Sequence, residues 1–186
     1  DFPITDQLRF RPIANVMLGH LESDASIATR YINNNRDVNL QFLNSGRMNS
    51  YGAGGSVMLD YENYKPNQEI DIELRYTNIA IQTFASSTAV QGSAVSQSAW
   101  LWARSRIPTP FTALDRPLRA VFEVANTQFL GDLRGTLGFS SLSSIGTGLE
   151  LDRSASDPIF SRIRLVFRYQ FGLNVRGTSI GLAASF

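Results

Sequence analysis

The sequence predicts an all-β protein: one antiparallel, up-and-down β-barrel domain spanning residues 1–186, with about ten strands, eight or twelve fitting as well. Three observations carry this. Apolar and polar side chains alternate with the period of two that defines a strand, in segment after segment. Turn residues separate these segments at hairpin spacing, and no amphipathic helical stretch offers a crossover. The polar faces carry full charges of both signs, where an exposed sheet would show a mixture of Ser, Thr and Lys.

Composition narrows the setting. At 186 residues the chain suits a single domain. It has no cysteine, which removes disulfides, thiolate metal sites and thiol nucleophiles. A formal net charge of +1 gives no general attraction for nucleic acid. Lys65 is the only lysine among 17 basic residues. Arginine's planar fork suits enclosed pairing with carboxylates, although genomic base composition explains the bias equally well. No stretch approaches the roughly 20 apolar residues of a transmembrane helix. The opening DFPITDQ has neither Met nor an apolar signal core, as in a mature exported chain or a segment cut at a domain boundary.

Taken in order, LRFRPIANVML sets Leu8, Phe10, Ala14, Val16 and Leu18 against Arg9, Arg11, Asn15 and Met17; Pro12 predicts an irregular start to a strand over 8–19. The polar stretch that follows reads as a loop over 20–37, and VNLQFL as another strand. SYGAGGSVMLDYE places Tyr51, Ala53, Val57, Leu59 and Tyr61 opposite Gly52, Gly54, Ser56, Asp60 and Glu62. NYKPNQ reads as a loop. EIDIELRYT separates Ile70, Ile72, Leu74 and Tyr76 from Asp71, Glu73 and Arg75, before the pattern blurs at NIAIQTF.

TFASSTAVQGSAVSQS is a connection or a weakly patterned strand, and SAWLWARSR is apolar on both faces, so its faces cannot be assigned. RIPTPFTALDRP, with three prolines, reads as a loop over 107–117. LRAVFEVAN sets Leu118, Ala120, Phe122 and Val124 against Arg119 and Glu123. LRGTLGF gives Leu133, Leu137 and Phe139 against Arg134 and Thr136, and SIGTGLELD gives Ile145, Leu149 and Leu151 against Glu150 and Asp152. SRIRLVFRYQFG is the sharpest segment: Ile163, Leu165, Phe167, Tyr169 and Phe171 oppose Arg162, Arg164 and Arg168, with Val166 out of place. GLN is a tight turn into VRGTSIGLAASF.

Several segments carry the 9 to 11 alternating residues that a tilted strand needs to cross a bilayer. The expected lumen therefore holds a charge network of Arg9, Arg11, Asp60, Asp71, Glu73, Arg75, Arg119, Glu123, Arg134, Glu150, Arg162, Arg164 and Arg168. A narrow barrel must pair such charges, and at this strand number side chains fill the interior. The expectation is a salt-bridged plug with a thin water path at most. Tyr51, Tyr61, Tyr64, Trp100, Trp102, Phe160, Tyr169, Phe171 and Phe186 lie near expected strand ends, where aromatic girdles sit.

The last strand, with Ile180, Leu182 and Phe186 at alternating positions after a tight turn, resembles the C-terminal signature of bacterial outer-membrane β-barrels. The resemblance implies that this strand is read by the barrel-assembly machinery. Within that class the Gly-rich alternation, short final hairpin and arginine-bearing interior are most similar to autotransporter-type barrels, of the solitary kind without a passenger domain. What it implies is an outer-membrane location, lipid as surroundings, a monomer, no nucleic acid and a structural, loop-binding or translocator-like role.

Chemical motifs are sparse. His20 is the only histidine, which leaves no multi-His metal site. GHLES brings His20, Glu22 and Ser23 close in sequence, and Asp60, Glu62, Asp71 and Glu73 flank one loop; an enzyme working at the barrel rim would use one of these sets. GAGGS would cradle a phosphate only at the start of a helix. The expectation is no cofactor, no metal and no catalysis. The remaining alternative, a soluble β-barrel binding an apolar ligand, turns the faces inside out.

Overall fold

A computed structural model describes residues 1–22, 47–86, 91–136, 138–152 and 162–185. The expected strand VNLQFL, most of the 20–37 loop and Phe186 lie outside them. The described chain is all-β: β1 (Phe2–Pro3), β2 (Leu8–Glu22), β3 (Arg47–Lys65), β4 (Gln68–Phe84), β5 (Ser93–Ala113), β6 (Arg116–Gly131), β7 (Ser141–Asp152), β8 (Arg162–Gly172) and β9 (Val175–Ser185). These form one nine-stranded sheet in sequential order. Neighbours run antiparallel, as in the ladders of β6–β7, β7–β8 and β8–β9. Among the described residues no ladder joins β9 to the β1–β2 edge, so the sheet is not closed.

The chain divides into two compact units, one of residues 1–12, 57–76 and 97–186, the other of 13–56 and 77–96. The alternation predicted for β2, β3, β4, β6, β7, β8 and β9 is observed. Outward positions such as Val16, Leu74, Phe122, Leu149, Leu165 and Phe167 are exposed. Among the described residues only Met58, Val121 and Val166 are buried hydrophobics, whereas Asp60, Glu69, Asp71, Arg106, Glu123 and Glu150 are buried charges. Val166 joins the inward face because Gly148 of β7 lies opposite. A Cβ on Gly148 would fall 2.1 Å from the Leu165 carbonyl.

Four segments depart from their sequence reading. Pro12 leaves β2 regular: Gln7 accepts from Glu62 N and Leu8 accepts from Ile4 N, each at 2.8 Å. Alternation then points Pro12 the same way as Leu8, beyond the last β1 partner pair, Phe2 with Phe10, where no ladder donor is required. The proline-rich 107–117 stretch is strand rather than loop. β4 begins only at Gln68, whose side chain reaches Ser105 at 3.0 Å, so from Ile107 onward β5 has β6 alone as partner and prolines facing the uncovered side cost nothing. The turn is two residues, Leu114 (φ 53) and Asp115 (φ 59), both left-handed as a type I′ hairpin turn requires. The expected NYKPNQ loop is likewise reduced to a turn between Lys65 and Gln68.

The start of LRGTLGF, residues 133–136, is turn rather than strand, and Leu137 lies outside the described residues. Gly131, Gly135 and Gly138 take positive φ of 56, 80 and 80, and Leu133, Arg134 and Thr136 N each donate to a carbonyl three residues back. Arg134 is exposed there, away from the inward face on which it was expected.

A charged cluster as the candidate functional site

In the first unit, alternate residues of five strands converge. Glu69 and Asp71 of β4, Arg104 and Arg106 of β5, Arg119 of β6, Glu150 of β7, and Arg162 and Arg164 of β8 all face inward. Glu150 is 0% exposed and Arg106 3%. Arg106 bonds both Glu69 and Asp71 at 3.0 Å and stands 3.6 Å from Glu150. Arg104 Nε donates to Asp71 at 2.9 Å, and Arg164 Nε to Glu150 at 2.7 Å. Arg119 bonds Glu69. Arg162 bonds Glu69 at 2.7 Å and lies 3.6 Å from Glu150.

The Glu69–Arg162 bond fixes the curvature of this unit. β4 and β8 are four strands apart in the order, which in a flat sheet would separate them by about 19 Å. Two side chains cannot span that and still meet at 2.7 Å, so the sheet curls with its charges on the concave side.

Aromatic groups complete the cluster. Tyr64 Oη donates to Asp71 at 2.6 Å, and the Arg106 guanidinium sits 5.2 Å from its ring centroid. Arg104 lies 4.7 Å over Trp102 and Arg75 5.3 Å over Trp100, and the two indoles stack at 6.3 Å. These tryptophans share the arginine face, with Leu101 pointing out, so they are cation–π partners rather than girdle residues. Tyr51, Tyr169 and Phe171 do point outward.

The remaining predicted charges form smaller groups in the same unit. Arg11 bridges Asp1 at 2.6 Å and Asp60 at 3.2 Å; Arg9 is 3.6 Å from Glu62. Glu73 is half-buried within electrostatic reach of Asp60, Arg75 and Arg11. Arg75 Nη2 lies 3.4 Å from the Met58 sulfur. Arg168 Nε donates to Glu123 at 2.7 Å. Its side chain runs over Gly146 and Gly181, where added Cβ atoms would come within 3.0 Å of Arg168 Cγ and 2.4 Å of its Nη1. Inward glycines here make room for an arginine.

Among the described residues the inward face of the second unit is held by neutral groups. Ser56 Oγ accepts from Asn15 Nδ2 at 2.7 Å and shares a 2.8 Å bond with Thr77 Oγ1. The GAGGS glycines serve packing: a Cβ on Gly54 would fall 2.0 Å from the Asn78 carbonyl, and one on Gly52 2.7 Å from Met17 Cγ. His20 Nδ1 lies 2.7 Å from Asn49 Oδ1; Ser23 is outside the described residues. Among the described residues no group of His, Asp and Glu has a metal-holding arrangement.

Sequence reasoning missed Glu69, Arg104, Arg106, Tyr64 and both tryptophans as members of the cluster. The parity of Trp100, Trp102, Arg104 and Arg106 was the available signal. Comparison with protein-family models, curated proteins and solved structures finds no match.

Proposed function

We propose that this chain is an integral β-barrel of the bacterial outer membrane, its sheet closing so that the charged face encloses a largely filled lumen and the apolar face meets lipid. One observation carries the reading: burial is inverted. A water-soluble protein buries its large apolar residues; here Phe122, Val124, Ile145, Leu149, Leu165, Phe167, Ile180 and Leu182 are half to three-quarters exposed, while carboxylates and arginines are buried. An apolar surface of that extent needs an apolar solvent. The same exposures weigh against the soluble barrel with an apolar interior.

In this reading the protein is a monomer resembling a solitary autotransporter-type barrel, and the C-terminal segment, with Ile180 and Leu182 of β9 and the Phe186 that follows in the sequence, is what the assembly machinery recognises. Its role is structural, loop-binding or translocator-like, with no catalytic group invoked. Refolding into detergent followed by gel electrophoresis with and without boiling tests it. A compact band that shifts only on boiling, with a β-rich circular dichroism spectrum, is expected. A chain that stays soluble and monomeric without detergent would overturn the reading.

A further inference from the structure

We infer that the Arg106 cluster is a gate: a charge-locked constriction that admits ions when its arginines exchange partners. This inference rests on the lumen reading above. Its basis is the redundancy of the pairing. Arg106 is shared by Glu69, Asp71 and Glu150, and Glu69 is shared by Arg106, Arg119 and Arg162. Glu150 in turn faces Arg106, Arg162 and Arg164.

A side chain in such a set can leave one partner for another without exposing an unpaired charge. The high cost of breaking a buried ion pair is thereby avoided during the switch. A second feature marks where the switch occurs. Glu150 Oε1 and Arg106 Nε are both fully enclosed yet make no hydrogen bond, among the described residues, and Oε1 is held 3.6 Å from two guanidinium groups. Buried polar atoms are ordinarily satisfied. An acceptor poised between two donors, and a donor on the side chain that links them, have an unused bond to gain by rearranging or by taking up water.

Arg168 shows what a fixed pair looks like. Its guanidinium bonds Glu123 and is cradled by Gly146 and Gly181, so among the described residues it has one partner and one bed. Arg106 instead joins β4 carboxylates to the β7 carboxylate across the concave face, a link that Arg162 shares through Glu69 and Glu150, so one arginine can hold the two sides while the other moves.

The test is conductance of the refolded full chain in planar lipid bilayers, comparing wild type, Glu150→Gln, Arg106→Gln and Arg134→Gln. Heat-modifiable migration serves as the folding control for each. Glu150→Gln and Arg106→Gln are expected to raise the time spent open at least tenfold over a mostly closed wild type. Arg134→Gln, which removes a charge from an exposed turn, should leave it unchanged. Inserted, heat-modifiable barrels with indistinguishable conductance across all four would overturn the gate alone. A chain that neither inserts nor shows heat-modifiable migration would overturn the outer-membrane reading and the gate with it.

Discussion

The two compact units use the same inward face of the strand for opposite chemistries. Every buried charge described belongs to the first unit, where the carboxylates and guanidinium groups around Arg106 are packed two and three to a partner. In the second unit the inward face is held by neutral bonds among Asn15, Ser56 and Thr77, with glycines letting backbones approach. The lesson is about cost. A neutral hydrogen bond lost from an interior costs about as much as one unsatisfied group, whereas deleting one charge of a buried set leaves the opposite charges in excess, which exchange among the remaining partners does not repair. A charged interior is therefore brittle to single substitutions, and a neutral one tolerant.

The sharpest test of that contrast is Glu150→Ala. It leaves Arg164 and Arg106 without a shared carboxylate and should lower unfolding free energy in urea, measured in lipid vesicles, by about 3–5 kcal/mol. The next compares outer faces rather than inner ones. Leu165→Arg in the first unit and Val16→Arg in the second should each cost about 2–4 kcal/mol if both faces meet lipid, and well under 1 kcal/mol if either meets water. Ser56→Ala, scored in the same urea titration, should cost only about 1 kcal/mol. If it equals Glu150→Ala, the comparison between the units fails. The smallest effect concerns backbone alone: Leu114→Gly relieves a left-handed leucine at the β5–β6 turn and should stabilise by up to about 1 kcal/mol.

Much of this architecture could be read from alternation, because a strand with one charged and one apolar face admits a single division of residues. That is why β8 needed no structure to assign, and why Arg162, Arg164 and Glu150 appear where their parity places them. What parity could not supply was ladder context. Pro108 and Pro110 argue for a loop until it is known that β5 outruns β4, and Gly135 permits a strand reading until its positive φ places Arg134 in a turn. The cluster's hub escaped for a related reason. Glu69 sits beside a turn residue pair, and Arg104 and Arg106 follow two tryptophans whose aromatic rings disguise the polar face. Only the curl of the sheet, which brings β4 to β8, reveals that these residues share one site.

In the proposed orientation the apolar face of this sheet meets lipid, and the absence of cysteine from the sequence permits a direct test. Single cysteines placed in turn from Ile163 to Phe171 along β8, each carrying a nitroxide in the refolded, lipid-embedded chain, would report accessibility to molecular oxygen and to a water-soluble relaxation agent. A period of two is expected: Leu165, Phe167, Tyr169 and Phe171 open to oxygen and shielded from the aqueous agent, with Arg164, Val166 and Arg168 protected from oxygen. Aqueous accessibility at Leu165 and Phe167, or no alternation at all, would contradict it.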